Sequence, residues 1–136
     1  MCLLNSVLTW DQITIQCDAT SHRSATNPLR AHGRLGSVCG IEYAAQAMAI
    51  HGALLAPSDS TSPRIGYLVS IRGTTLHVAR LDNIATDLQI EANCITTSSN
   101  NILYEFSVST CGQLLLAGRA TVVLNATSQF ILGESV

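Results

Sequence analysis

Between residues 40 and 55 the chain reads Gly-Ile-Glu-Tyr-Ala-Ala-Gln-Ala-Met-Ala-Ile-His-Gly-Ala-Leu-Leu. Five alanines, two closing leucines and the absence of proline favour a helix of about four turns. The stretch is apolar on nearly every face, and a helix without a solvated stripe has to be covered all round. Its small alanine side chains let a sheet come close. One helix inside a curled sheet is therefore the architecture expected of this chain.

Glu42 is the exception within that helix. A carboxylate in an apolar element is costly to bury unless it is paired or has a task. The free N–H groups and partial positive charge of a helix start offset part of the cost. Gln46, one turn further on, shares the face and is placed to hydrogen-bond the carboxylate. From these residues alone, a carboxylate placed only to suit the helix dipole accounts for Glu42 equally well.

The rest of the chain supplies the cover. At 136 residues it is expected to form a single domain over 1–136 with a core of its own. Residues 3–9 open apolar, and residues 12–17 alternate, with Ile13 and Ile15 on one face and Thr14 and Gln16 on the other. Such alternation predicts a half-buried strand, with Trp10 and Asp11 as the turn before it. Periodicity then vanishes over residues 18–37, a loop long enough to suggest function. After the helix, the proline- and serine-containing residues 56–64 read as a connector. Residues 66–72 and 74–78 predict strand with a bulge at Gly73. Residues 87–97, 102–110 and 113–123 predict three more strands, and the short gaps at 98–101 and at Cys111-Gly112 predict an antiparallel meander. Residues 125–136 are expected to be a loosely held tail or an edge strand through Phe130-Ile131-Leu132. One helix followed by consecutive strands makes an α+β domain, and a long helix wrapped by one antiparallel sheet is the hot-dog fold.

Composition narrows the function classes. Charged residues are only 12% of the chain against 47% apolar, roughly half the usual charged share. Such a surface is expected to be partly buried in an oligomer. The net charge of −2 gives no bulk attraction to nucleic acid. Five dispersed cysteines, with no secretory pattern at the start of the chain, read as reduced thiols of a cytoplasmic protein. No apolar run is expected to reach the ~18 residues of a membrane span. No metal is expected, since the histidines lack i, i+2 or i, i+4 spacing, and no serine sits in a G-x-S-x-G elbow.

Four histidines remain. His32 lies in an Ala31-His32-Gly33-Arg34 turn, His51 near the helix C-terminus where a cation is favourable, and His77 along a strand. Only His22 joins a strand end to the start of the long loop.

His22 followed by Asn27-Pro28-Leu29, and then Gly40-Ile41-Glu42-Tyr43-Ala44-Ala45-Gln46, resembles the bacterial 3-hydroxyacyl-ACP dehydratases, with their histidine before the central helix and their E-x-x-x-Q helix entry. The branch it is most similar to is the predicted dehydratases associated with aryl polyene biosynthesis, over about residues 3–124. It departs from the fatty-acid dehydratases in having His22-Arg23-Ser24 where they have His-Phe-Pro.

The resemblance implies a fold and a chemistry. His22 would be the base that takes a proton from C2 of a 3-hydroxyacyl thioester, and Glu42 of a facing subunit the acid that protonates the departing C3 hydroxyl. Elimination alpha to a carbonyl needs one acid and one base near neutrality, which an apolar tunnel can tune. Backbone N–H groups at Cys39 and Gly40 would polarise the thioester carbonyl, with Gln46 beside them. Arg30 and Arg34, with Arg80 and Arg119, would meet the phosphopantetheine arm and the acidic surface of an acyl carrier protein. No other cofactor is implied, and the assembly would be a homo-oligomer or a heteromer with a related subunit. A thioesterase on the same fold, or a non-catalytic subunit that stabilises an active paralogue, are the alternatives.

Overall fold

In the computed structural model, which describes residues 2–56 and 64–126, one helix packs against a six-stranded antiparallel sheet. Strands β1 (Ser6–Trp10) and β2 (Thr14–Ala19) come first, then α1 (Gly40–Leu55) and β3 (Arg64–Leu76), β4 (Leu88–Thr97), β5 (Asn101–Thr110) and β6 (Gln113–Ala126). The strand order is β1-β2-β4-β5-β6-β3. This is the hot-dog arrangement expected from the sequence, with the helix bounds as read.

Alternation builds the concave face. Ile15, Cys17 and Ala19 of β2, Leu88, Ile90 and Ala92 of β4, and Tyr104, Phe106 and Val108 of β5 are buried in one core with Tyr43, Ala44, Ala47 and Met48 of α1. Alanines at 44 and 47 face the sheet, and Gly40 goes further: a Cβ there would lie 2.6 Å from Leu116 Cδ2. The first turn of α1 is thus drawn tight against β6.

Several details differ from expectation. Ile13 is 60% exposed while Ile15 is buried, because Ile13 belongs to the turn rather than to β2. The Asp11 carboxylate accepts from the Ile13 and Thr14 N–H groups, 2.8 Å each, and the strand starts two residues late, at Thr14. β1 begins at Ser6 instead of residue 3, and Leu3 is fixed as described below. His77 lies just beyond β3, not on it. The break at Gly73 is present, with φ +59 and a register shift between Arg72 and Thr75. Cys111 and Gly112, at φ +47 and +77, make the two-residue turn of the β5–β6 hairpin. The connector at 57–63 and the 127–136 part of the tail fall outside the described residues.

The sheet covers only one side of α1. Val38, Glu42, Ala49 and Ala53 stay exposed along the other side, so a single subunit does not enclose the helix all round. With the turn before it, Ser37–Leu55 forms a 19-residue helical run of mean hydropathy 1.2, long and apolar enough by composition to cross a membrane. That corrects the expectation of no such run. Here its inner face, from Tyr43 to His51, is packed into the sheet.

Candidate active site

The loop from 20 to 39 opens with a 3₁₀ turn, Ser21–Arg23, and closes with another, Ser37–Cys39, that runs into α1. His22 is the middle residue of the first turn and has no exposed surface. Its Nε2 lies 3.1 Å from the Ile84 carbonyl and 3.0 Å from the Thr86 carbonyl. Carbonyl oxygens only accept, so Nε2 carries the proton and Nδ1 holds the lone pair. Nδ1 is buried and has no hydrogen-bond partner among the described residues. Burial holds the His22 pKa below the ordinary histidine value and the Arg23 guanidinium pushes the same way, against the Thr86 and Ile84 carbonyls and Asp87. The ring is therefore a neutral imidazole with an unengaged basic nitrogen.

The segment that receives His22 is fastened around it. Arg23 donates to the Ala85 carbonyl at 2.7 Å and pairs with Asp87 at 2.9 Å. Thr86 and Thr110 share a hydroxyl hydrogen bond, and Thr110 also donates to the Asp87 carbonyl. Residues 84 to 87 are thereby tied both to the His22 turn and to the end of β5.

On the other flank lies a buried hydroxyl chain. Ser21 Oγ donates to the Leu3 carbonyl at 2.7 Å, so the 2.7 Å contact with Tyr43 is donated by the tyrosine. Asn27 Nδ2 donates to Tyr43 Oη at 3.1 Å and to the Ser21 carbonyl at 2.9 Å, while its Oδ1 accepts from the Leu29 N–H. Burial pushes the Tyr43 pKa up, against the Ser21 and Asn27 hydrogen bonds.

The remaining expected site residues are distributed unevenly. Glu42 is exposed in the first turn of α1, on the side opposite the sheet. Gln46 Oε1 accepts from the Leu3 N–H at 2.8 Å, so this side chain anchors the N-terminal segment. The Cys39 N–H donates to Gly36, and the Gly40 N–H to Ser37 and Val38. Both donors are already engaged in the turn, and a thioester carbonyl would have to share them. Arg30 is half-buried and holds the loop, donating to the carbonyls of Ser24, Gly33 and His22 and lying 3.9 Å from Asp82. Arg80 is paired with Asp82, and Arg119 with Glu105. Arg34 is exposed and has no side-chain partner among the described residues. No cluster of three or more metal-binding side chains occurs among the described residues. A cleft of about 360 Å³ among the outward residues Asn93, Glu105, Ser107, Leu114 and Arg119 shares no lining residue with the His22 cluster.

The sequence matches the model of the ApeP-like family, described as ApeP dehydratase, over residues 1–132. The chain belongs to the ApeP-like dehydratase family. Among solved structures, the dehydratase heterocomplex ApeI:P from Xenorhabdus doucetiae is similar at 23% identity and a TM-score of 0.80, over 96% of this chain and 88% of that one. A thioesterase from Staphylococcus aureus follows at 15% identity and a TM-score of 0.66, over 88% of this chain and 92% of that one. A thioesterase from Haemophilus influenzae has 12% identity and a TM-score of 0.65, over 88% and 77%. A comparison with curated proteins finds no significant match.

Sequence reading missed two features of this ApeP-like chain. His51 is fully buried at the helix end: its Nε2 lies 2.7 Å from the Asp11 carbonyl and its Nδ1 2.7 Å from Tyr104 Oη. The cradle at 84–87 also carries no local sequence signal, because it meets His22 across more than sixty residues of chain.

Proposed function

We propose that this chain dehydrates 3-hydroxyacyl thioesters borne on an acyl carrier protein, in a cytoplasmic assembly with a second hot-dog subunit. His22 Nδ1 takes the C2 proton, Glu42 of the facing subunit delivers a proton to the departing C3 hydroxyl, and a trans-2-enoyl thioester and water leave. Family membership supports the reaction class. The observation that carries the reading is the fixed tautomer of His22, whose basic Nδ1 has no donor among the described residues competing for its lone pair. The exposed side of α1, with Glu42 on it, is where the second subunit sits. Arg34, exposed and without a side-chain partner among the described residues, meets the phosphopantetheine phosphate. No cofactor beyond that arm is needed. Because the isolated subunit leaves His22 with no exposed surface, substrate entry has to part the side chains over the ring.

That burial also favours a second reading, in which this chain is a supporting subunit and the chemistry belongs to a related partner. A dehydratase heterocomplex among the similar structures agrees with such an assembly. One experiment separates the two. The chain, alone and with a related hot-dog partner, is given 3-hydroxyacyl carrier protein, and loss of one water is read by mass spectrometry for wild type, His22→Gln and Glu42→Gln. The dehydratase reading expects losses on the order of 10²-fold or more in each variant. Full turnover in both variants overturns it, and activity that needs the partner but not His22 selects the supporting role. Release of free thiol instead of water would mark a thioesterase.

A further inference from the structure

From the buried hydroxyl chain we infer that Tyr43 is a positioning residue for His22, setting through Ser21 and Asn27 the turn that holds the imidazole astride two carbonyls. The inference rests on the dehydratase reading only for its effect on turnover; its structural part stands by itself.

The argument begins with the ring. One N–H shared between oxygens at 3.0 and 3.1 Å is a three-centre bond, and its balance is upset by shifts of a few tenths of an ångström. Nδ1 has no partner among the described residues that would correct such a shift. The tautomer is therefore decided by where the backbone of Ser21–Arg23 lies. On its N-terminal side that backbone is held at Ser21, by three contacts: Ser21 Oγ to Leu3, Tyr43 Oη to Ser21 Oγ, and Asn27 Nδ2 to the Ser21 carbonyl. Tyr43 is the side chain of α1 in this chain of bonds, and it also receives Asn27. Its ring is fully buried in the core, so its hydroxyl is a fixed point against which the turn is set.

Tyr43→Phe removes that point while keeping the ring and the core volume. The full chain, labelled with ¹⁵N-histidine, is examined near neutral pH by long-range ¹H–¹⁵N correlation, and His22 is assigned by the spectrum of His22→Gln. Wild type is expected to show His22 as a single Nε2–H form with an unprotonated Nδ1. Tyr43→Phe, still folded by its cooperative thermal transition, is expected to show a mixture of tautomers. In the same variant kcat falls by about tenfold or more with KM nearly unchanged, the mark of a misplaced group rather than a lost contact to substrate. If Tyr43→Phe does not fold, Ser21→Ala removes the same link from the half-exposed turn and is read in the same way. His22 nitrogen signals unaltered in the folded variant, or a tautomer mixture already in wild type, overturn the inference. Signals that change in Tyr43→Phe, together with turnover that survives His22→Gln, leave the positioning in place and remove the dehydratase reading. The reverse pattern removes the positioning alone.

Discussion

His51 of α1 and Tyr104 of β5 share a 2.7 Å hydrogen bond with neither residue exposed by more than 1%, their rings edge to face with centroids 5.7 Å apart. Since Nε2 faces the Asp11 carbonyl it must donate there, and Nδ1 meets the tyrosine hydroxyl. Burial pushes the Tyr104 pKa up to about 12, so this hydroxyl keeps its proton throughout the physiological range. A histidine that the sequence places at a helix end thus joins the Asp11 turn, α1 and β5 as a buried bridge.

Tyr104→Phe leaves His51 Nδ1 buried without its hydroxyl partner. The expected cost is about 1–3 kcal/mol, read as a lower urea midpoint at unchanged slope. A midpoint equal to wild type would show that the bond adds nothing net.

His22 gives a pH dependence whose sign is fixed by its lowered pKa. The unfolded chain binds a proton near pH 6.5, where the folded chain does not. The contribution of the neutral ring is therefore complete above about pH 6.5 and declines as pH falls toward the folded-state pKa. Unfolding free energy should drop between about pH 7 and pH 5, and His22→Gln should flatten that slope. An identical slope in the variant contradicts the assignment of a neutral, buried ring.

Gly40 tests the close approach of α1 to β6. Its φ of −61° suits alanine, so the cost of Gly40→Ala comes from the contact with Leu116 and should be about 1–3 kcal/mol. Trimming the neighbour with Leu116→Val should make the double variant more stable than the sum of the single effects, by about 0.5 kcal/mol or more. Additive effects would place the strain elsewhere.

The β5–β6 turn offers a gain. Cys111 holds φ +47 without being glycine, a conformation that asparagine tolerates at lower cost and that two-residue hairpins favour. Cys111→Asn should raise stability by about 0.5–1 kcal/mol, seen as a higher melting temperature in reducing buffer. A decrease would mean that the thiol makes a contact worth more than the relief.

What was legible in the sequence was what repeats locally. The alanine-rich run gave α1 with its bounds, and Ile, Leu and Val at every second position gave the meander, because both patterns are set by neighbours in the chain. Ile13 misled because alternation does not record where a turn ends; the Asp11 carboxylate decides that. At the site, the His22 and Glu42 motif pointed to a buried turn and to the exposed start of α1. The partners of His22 stayed hidden, since Ile84 and Thr86 offer only backbone oxygen, which any residue supplies. Arg30 was misread for a similar reason. Its acceptors are carbonyls of its own loop, and a guanidinium turned inward looks in sequence like one turned to solvent.

Glu42 and Tyr43 follow one another on α1, about 100° apart around its axis, one in solvent and one in the core. Any roll of the helix that re-aims the carboxylate also drags the tyrosine hydroxyl off Ser21. The two sides of α1 are geared to a common axle, so in the proposed reaction the reach of Glu42 and the seat of His22 would be tuned together.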